Sequence, residues 1–304
     1  MLSSPLVYSI YKEYEKGLKV NRIAVLGAGL MGHGICQVAV QIGEYGVSLY
    51  DIEQRFLDNG LGMIKGSLDK FKAKGQLSEV QVNDIMNRIR PTVDLKEAVK
   101  DADLIIEVAP EIPDLKRQVF ANVDQYAPSH AMIASNTSSI SITELASATK
   151  RPTQVCGMHF FNPPQLMKLV EVIRGELSSD ETIAAALEVA HKMGKETVLV
   201  KKDVPGFIVN RILFPALNEA VALYYEGVAN RDDIDKAIML GLSWPMGPLR
   251  LLDYIGADTT LAIGDVLSRE VDPKFHATPG LKLMVHAKLL GRKTGKGFYD
   301  WTQK

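Results

Sequence analysis

The apolar positions of this chain change their rhythm near residue 203. Before that point, short apolar runs alternate with longer stretches of helical period. Residues 22–26 form an apolar run that ends at glycines, which predicts a buried strand, and residues 30–42 predict the helix after it. Residues 47–50 predict a second strand ending at Asp51, and residues 53–74 a helix with lysines on its polar side. Residues 77–90 predict another helix, stopped by Pro91. Further strands are expected at 103–108, 131–134, 155–160, 169–173 and 197–200, with helical stretches between most of them. That alternation argues for an α/β domain with a parallel sheet covered on both faces. From residue 206 onward only helical segments are read, at 207–225, 231–240, 249–254 and beyond, punctuated by Gly227, Gly241 and Gly256. The expected division is an N-terminal extension over 1–20, the α/β domain over 21–202 and an all-helical C-terminal domain over 203–304. The glycine-rich, basic stretch near the end, GRKTGKGFYDW, is expected to be an ordered turn.

The first strand–helix junction carries chemistry. Gly27, Gly29 and Gly32 make a G-x-G-x-x-G pattern there. Such glycines permit a tight turn, close approach of backbone to a pyrophosphate, and close helix–strand packing. The helix N-terminus adds unpaired N–H groups and partial positive charge. Asp51 stands nineteen residues after Gly32, at the end of the next strand. A carboxylate there accepts hydrogen bonds from both ribose hydroxyls of NAD and repels the extra phosphate of NADP. Arg55 lies nearby and favours the opposite choice, but Asp51 holds the more telling position. A structural glycine turn with a capping aspartate is the bland alternative.

A second segment, HFFNPPQLMKLVEV, places His159 at the end of an apolar strand and Glu171 inside another. Carboxyl ends of strands in open parallel sheets line the ligand crevice. A glutamate among apolar neighbours is either on a solvated edge or buried with a partner. Paired with His159, it would orient the imidazole and raise its basicity. Between the two motifs lies SNTSSI, also after an apolar run. Its Asn136 and Ser138 are candidates to face the crevice, and Ser141 and Thr143 to cap the next helix.

Composition changes this picture little. The chain has 304 residues, 46% hydrophobic and 23% charged, with formal net charge −1. That is ordinary soluble material, with no electrostatic case for nucleic acid or membrane partners. No apolar run approaches a membrane span. Cys36 and Cys156 lie in apolar stretches without metal-ligand spacing, which argues for a reduced, cytoplasmic setting with no disulfide or zinc. Lys12, Glu13, Glu15 and Lys16 break the first twenty residues, which lack both a signal core and transit-peptide character, and a short extra helix or arm is expected there.

Taken in order, GAGLMGHGI, ASNTSSI, HFFNPPQLMKLVEV, DVPGFIVNRIL, PMGPLRLLDYIGADT and GRKTGKGFYDW resemble the L-3-hydroxyacyl-CoA dehydrogenase family, the 3-hydroxybutyryl-CoA enzymes most of all. The resemblance implies a Rossmann-like doubly wound domain, then a helical domain that makes a homodimer interface. It implies oxidation of (S)-3-hydroxyacyl-CoA by NAD, with His159 as general base, Glu171 as its partner, and Ser138 and Asn210 on the substrate oxygen. Gly27, Gly29, Leu30, Met31, Gly32, Asp51, Glu111, Lys116, Asn136, Ser138, Asn162 and Lys293 fall where the family handles NAD. Ser67 and Lys74, seven residues apart on one helix, fall where it contacts coenzyme A. The alternatives left open are an NAD-dependent dehydrogenase of a free hydroxy or sugar acid, and a catalytically silent NAD-binding protein.

Overall fold

The computed structural model describes residues 18–302. The helix or arm expected over 1–20 lies, up to residue 17, outside the described residues. The chain divides into two compact units, the first ending at Asp203 and the second starting at Val204.

The first unit alternates β1 (Arg22–Leu26), α1 (Gly32–Gln41), β2 (Gly46–Tyr50), α2 (Gln54–Ala73), α3 (Glu79–Asn87), β3 (Ile89–Thr92), α4 (Leu95–Val99) and β4 (Leu104–Glu107). It continues through α5 (Pro113–Tyr126), β5 (Met132–Ser135), α6 (Ile142–Ser147), β6 (Val155–Phe160), β7 (Leu169–Arg174), α7 (Asp180–Lys192) and β8 (Glu196–Val200). The eight strands form one sheet in the order β3-β2-β1-β4-β5-β6-β7-β8. Its interior strands read as continuous apolar runs because helices bury them on both faces. Val25, Leu49, Ile106, Met132 and Met158 are wholly buried, and Ile35 and Val38 of α1 join them in one core. Local signals start several helices. Ser78 makes a reciprocal capping box with Gln81 on α3, and Ser179 caps α7, whose first turn carries Asp180 and Glu181.

Two features depart from the expected elements. The helix expected over 77–90 ends at Asn87, and Ile89–Thr92 pairs with β2 instead. Pro91 is tolerated there because β3 is the sheet's outer strand, where a missing N–H disrupts no second ladder. The sheet is also not wholly parallel, since β7 runs antiparallel to β6. Only residues 161–168 join them, and that stretch holds no helix to carry the chain back across the sheet.

The second unit is helical: α8 (Val209–Tyr225), α9 (Arg231–Gly241), α10 (Pro248–Ile255), α11 (Ala257–Glu270) and α12 (Pro279–His286). Phe214, Leu217, Val221, Leu249, Leu252, Leu267 and Leu281 form its core. The basic, glycine-rich tail is a strap tied to α10. Asp253, fully buried, accepts from Phe298 N at 3.0 Å, Tyr299 N at 2.8 Å and Trp301 Nε1 at 3.0 Å. A side chain at Gly297 would collide with the Asp253 carboxylate and one at Gly291 with the Asp253 backbone, which accounts for glycine at both places. Asp235 works alongside, accepting from Leu249 N at 2.8 Å, Arg250 N at 3.0 Å and the Tyr299 hydroxyl at 2.8 Å.

Among the described residues, no helix is long and apolar enough to cross a membrane, and no group of histidine, cysteine and carboxylate side chains could hold a metal ion. Burial pushes the Cys156 thiol up to about 12 and raises that of Cys36 as well, so neither is a reactive thiolate at neutral pH.

Candidate active site

The turn between β1 and α1 is built for a flat, charged ligand. Gly27 adopts φ +118°, and a side chain there would press on Val108 O at 2.7 Å. Gly32 lies so close to Gly27 O that no Cβ fits, whereas a Cβ at Gly29 would meet nothing within 4 Å. Gly29 therefore borders open space, next to the N–H groups of the α1 N-terminus. Leu30 is 60% exposed beside it, and Met31 is the half-buried N-cap of α1. These features form a cradle that fits a dinucleotide pyrophosphate.

Asp51 closes this seat in a way the sequence did not reveal. Its Oδ2 accepts from Ala28 N at 2.8 Å and its Oδ1 from Ile52 N at 2.8 Å. One carboxylate thus braces the glycine turn while keeping lone pairs for ribose hydroxyls. Arg55 is tied to Glu53 at 2.7 Å and does not contest that role. Asp51→Ala is expected to raise the KM of a dinucleotide by about tenfold or more with a smaller change in kcat, because it removes both a free acceptor beside the turn and the brace on Ala28. Steady-state kinetics with the second substrate saturating check this; a fall in kcat at unchanged KM contradicts it.

At the far side of the same sheet edge, His159 and Glu171 are directly opposed in the β6–β7 register. His159 Nδ1 lies 2.7 Å from Glu171 Oε2. The carboxylate is 0% exposed and the ring 8%. Glu171 is no edge residue, since β7 lies between β6 and β8. An ionised carboxylate has no proton to donate, so the hydrogen in this contact belongs to Nδ1. The neutral ring then carries its lone pair on Nε2. Phe161 packs tilted against the imidazole, with centroids 4.6 Å apart. The arrangement exists because β7 reverses direction. A residue near its start thereby faces a residue near the end of β6, at the edge where the other strands finish.

The loop after β5 lies between these two halves. Asn136 Oδ1 accepts from Phe160 N at 2.8 Å, which ties the loop to the histidine strand. Glu111 is the hub of the loop's remaining hydrogen bonds. It accepts from Thr137 Oγ1, from Ser138 N at 2.9 Å and from Ser139 Oγ at 3.2 Å. Burial pushes the Glu111 carboxyl up, but the Lys116 charge and the Thr137 and Ser138 donors outweigh that and hold it below its ordinary value of 4.5. Ser138 is half-buried.

The other expected site residues fall in varied settings. Lys116 is 1% exposed, with Nζ donating to Glu107 Oε1 at 2.7 Å and Ala109 O at 3.0 Å, and it pairs with Glu111 at 3.3 Å. Its ammonium is thus committed within the protein rather than presented at the surface. Asn162 is exposed in the turn after β6. Ser67 is half-buried on α2, and Lys74 is exposed one residue past that helix's end. Asn210, in the first turn of α8, and Lys293 belong to the second unit. Asn210 is 8% exposed. Lys293 Nζ donates to Asp258 Oδ1 at 2.8 Å and Thr259 Oγ1 at 2.7 Å. Sequence reasoning missed Glu107, Ser135 and Thr137. The signal for Glu107 was present, an acidic residue closing the apolar run DLIIE, the same kind of signal that pointed to Glu171.

Comparison with known proteins gives the family of the chain. The family model for the NAD-binding domain of 3-hydroxyacyl-CoA dehydrogenase matches residues 22–204, and that for the C-terminal domain of the same enzymes matches residues 206–301. The chain belongs to the 3-hydroxyacyl-CoA dehydrogenase family. It is 45% identical to a probable 3-hydroxybutyryl-CoA dehydrogenase of Bacillus subtilis, over 94% of this chain and 99% of that one. It is 40% identical to the human mitochondrial hydroxyacyl-coenzyme A dehydrogenase, over 94% of this chain and 93% of the relative. Among solved structures it is similar to (S)-3-hydroxybutyryl-CoA dehydrogenase from Ralstonia eutropha, with TM-score 0.89, 40% identity and coverage of 94% and 100%. Membership makes this chain an NAD-dependent oxidoreductase of the 3-hydroxyacyl-CoA dehydrogenase class.

Proposed function

We propose that this chain reversibly interconverts (S)-3-hydroxybutyryl-CoA and acetoacetyl-CoA, with His159 as general base and Glu171 as its partner. The buried 2.7 Å contact between His159 Nδ1 and Glu171 Oε2, on the same sheet edge as the glycine turn, carries the reading. The Gly27–Gly32 turn, Asp51, Glu111, Asn136, Ser138 and Asn162 hold the dinucleotide; the family resemblance assigns Lys293 to it as well, and Lys116, enclosed behind Glu111, serves it through that carboxylate. NAD, when bound, supplies the hydride acceptor. His159 Nε2 takes the proton from the substrate's 3-hydroxyl, and the Glu171 carboxylate stabilises the imidazolium that results. The family resemblance assigns Ser138, and separately Asn210, to the substrate oxygen, and Ser67 and Lys74 to the coenzyme A moiety.

The names of the similar proteins support a short acyl chain. The test is oxidation of NADH or NADPH with acetoacetyl-CoA, longer 3-ketoacyl-CoA compounds and free keto acids side by side. We expect kcat/KM to be highest for NADH with acetoacetyl-CoA and to fall steeply when the CoA is absent. Equal turnover of the free acid would overturn the substrate assignment. A homodimer through the second unit completes the reading. Its support is the set of exposed apolar side chains there, including Ile212 at 69% and Leu240 at 74%. Sedimentation as a monomer at micromolar concentration would refute it.

A further inference from the structure

Glu107 is a fully buried acid at the last position of β4, 0% exposed, on a strand that is otherwise apolar. No atom of it meets solvent, so it touches neither substrate nor dinucleotide. Burying a carboxylate is costly unless every lone pair finds a donor. Here each oxygen is engaged. Oε1 accepts from Lys116 Nζ at 2.7 Å and Ala109 N at 2.6 Å, and Oε2 accepts from the Ser135 hydroxyl at 2.6 Å. A neutral apolar side chain would fill such a strand end at less cost to stability. What the charge adds is direction.

From Glu107 two arms run to the same short segment. Along one, Lys116 is held so that its Nζ also lies 3.3 Å from Glu111 Oε2, while Glu111 Oε1 receives Thr137 Oγ1 and Ser138 N. Along the other, Ser135 Oγ, having donated to Glu107, accepts from Thr137 N at 3.1 Å. The circuit closes on Thr137 and Ser138, and the intervening Asn136 binds the backbone beside His159. The contacts among Glu107, Lys116, Ser135 and Thr137 are screened from water, where such bonds are strong and directional, and Glu111, 38% exposed, carries the circuit out to the loop.

We propose that Glu107 is a positioning residue of the dehydrogenase: it fixes the Lys116 ammonium beneath Glu111 and thereby sets the Thr137–Ser138 backbone at the active site. The proposal rests on the dehydrogenase reading of this site, but not on His159 as the base.

Three variants test it, Glu107→Gln, Lys116→Met and the pair combined. The folded state is checked by circular dichroism and NADH fluorescence, and turnover is measured with acetoacetyl-CoA and saturating NADH. Glu107→Gln is expected to lower kcat about tenfold to a hundredfold, the range for a displacement of about 1 Å in a positioned group, with KM for acetoacetyl-CoA within about twofold. In the Lys116→Met background the same change should cost several-fold less, because one of the two arms is already gone and only that through Ser135 remains. A folded Glu107→Gln enzyme with kcat within about twofold of the parent overturns the proposal. Equal fold-losses in both backgrounds overturn it too. Should Glu107→Gln fail to fold, Glu107→Asp, which keeps the charge but draws it back from Lys116 and Ser135, is read the same way: a folded enzyme with kcat lowered about tenfold at unchanged KM supports the proposal, and kcat within about twofold of the parent overturns it. A failure of His159 as base registers separately, in the His159 variants, and leaves this comparison intact.

Discussion

Replacing His159 with alanine is expected to lower kcat by about two to four orders of magnitude, the usual contribution of a positioned general base, while NADH affinity stays within about threefold. The reason is geometric. The imidazole belongs to the end of β6, and the dinucleotide cradle is built by the β1–α1 turn and Asp51, so the ring can be lost without touching the seat. One complication is foreseeable. Glu171 is 0% exposed and loses the Nδ1–H donor in this variant, so a buried charge is left one hydrogen bond short and the fold is weakened. His159→Gln retains an amide donor and separates the two effects: stability should recover while kcat does not. Turnover with acetoacetyl-CoA and titration of NADH fluorescence read the outcome. A kcat within about threefold of the parent in either folded variant would remove His159 from proton transfer.

Glu171→Gln is expected to cost about a hundredfold or more in kcat, although it changes only one charge and no volume. The amide has two ways to face His159 Nδ1, which sits 2.7 Å from the present carboxylate. If the NH₂ group faces it, Nδ1 becomes the acceptor and the proton moves to Nε2, so the ring has no lone pair where the substrate proton must go. If the amide oxygen faces it, the tautomer survives but the imidazolium formed during oxidation loses its countercharge. Both arrangements slow the reaction, and the second also shifts the pH at which the rate rises. The check is the pH profile of kcat in the oxidation direction. An unchanged rate and profile would show that Glu171 serves only to fill the strand.

Much of the candidate site was readable along the chain because its parts sit at the ends of strands, where the sequence changes character abruptly. The glycines after β1, Asp51 after β2, the SNTSSI loop after β5 and His159 on β6 all mark such ends. Each is a local event, a polar or glycine residue closing an apolar run, and apolar runs are what burial on both sheet faces produces. Glu107 belongs to the same class and went unread only because its chain of partners runs through space. Nothing local tells that Lys116, nine residues later on α5, folds back to it, or that Ser135 meets it from β5. The same limit applies to Lys116 itself, which resembles an ordinary first-turn charge and is in fact almost wholly enclosed. The strand at Ile89–Thr92 was hidden for a different reason. A proline in a four-residue strand is acceptable only on the sheet's border, and strand order is not written in any one segment.

The linear order of residues was enough to show an α/β half followed by a helical half, and to single out a glycine turn with its acid and a histidine with a glutamate behind it as candidates. These come from periodicity, glycine and short-range spacing, which act over a few residues. Folding in three dimensions supplied the rest: the reversal of β7 that sets Glu171 across from His159, the brace from Asp51 to the glycine turn, and the circuit that starts at buried Glu107 and ends at Ser138. Those depend on strand order and on which side chains lose their water together. Hydrogen bonds and ion pairs become strong and directional only where water is excluded, and exclusion belongs to the assembled sheet rather than to any stretch of chain.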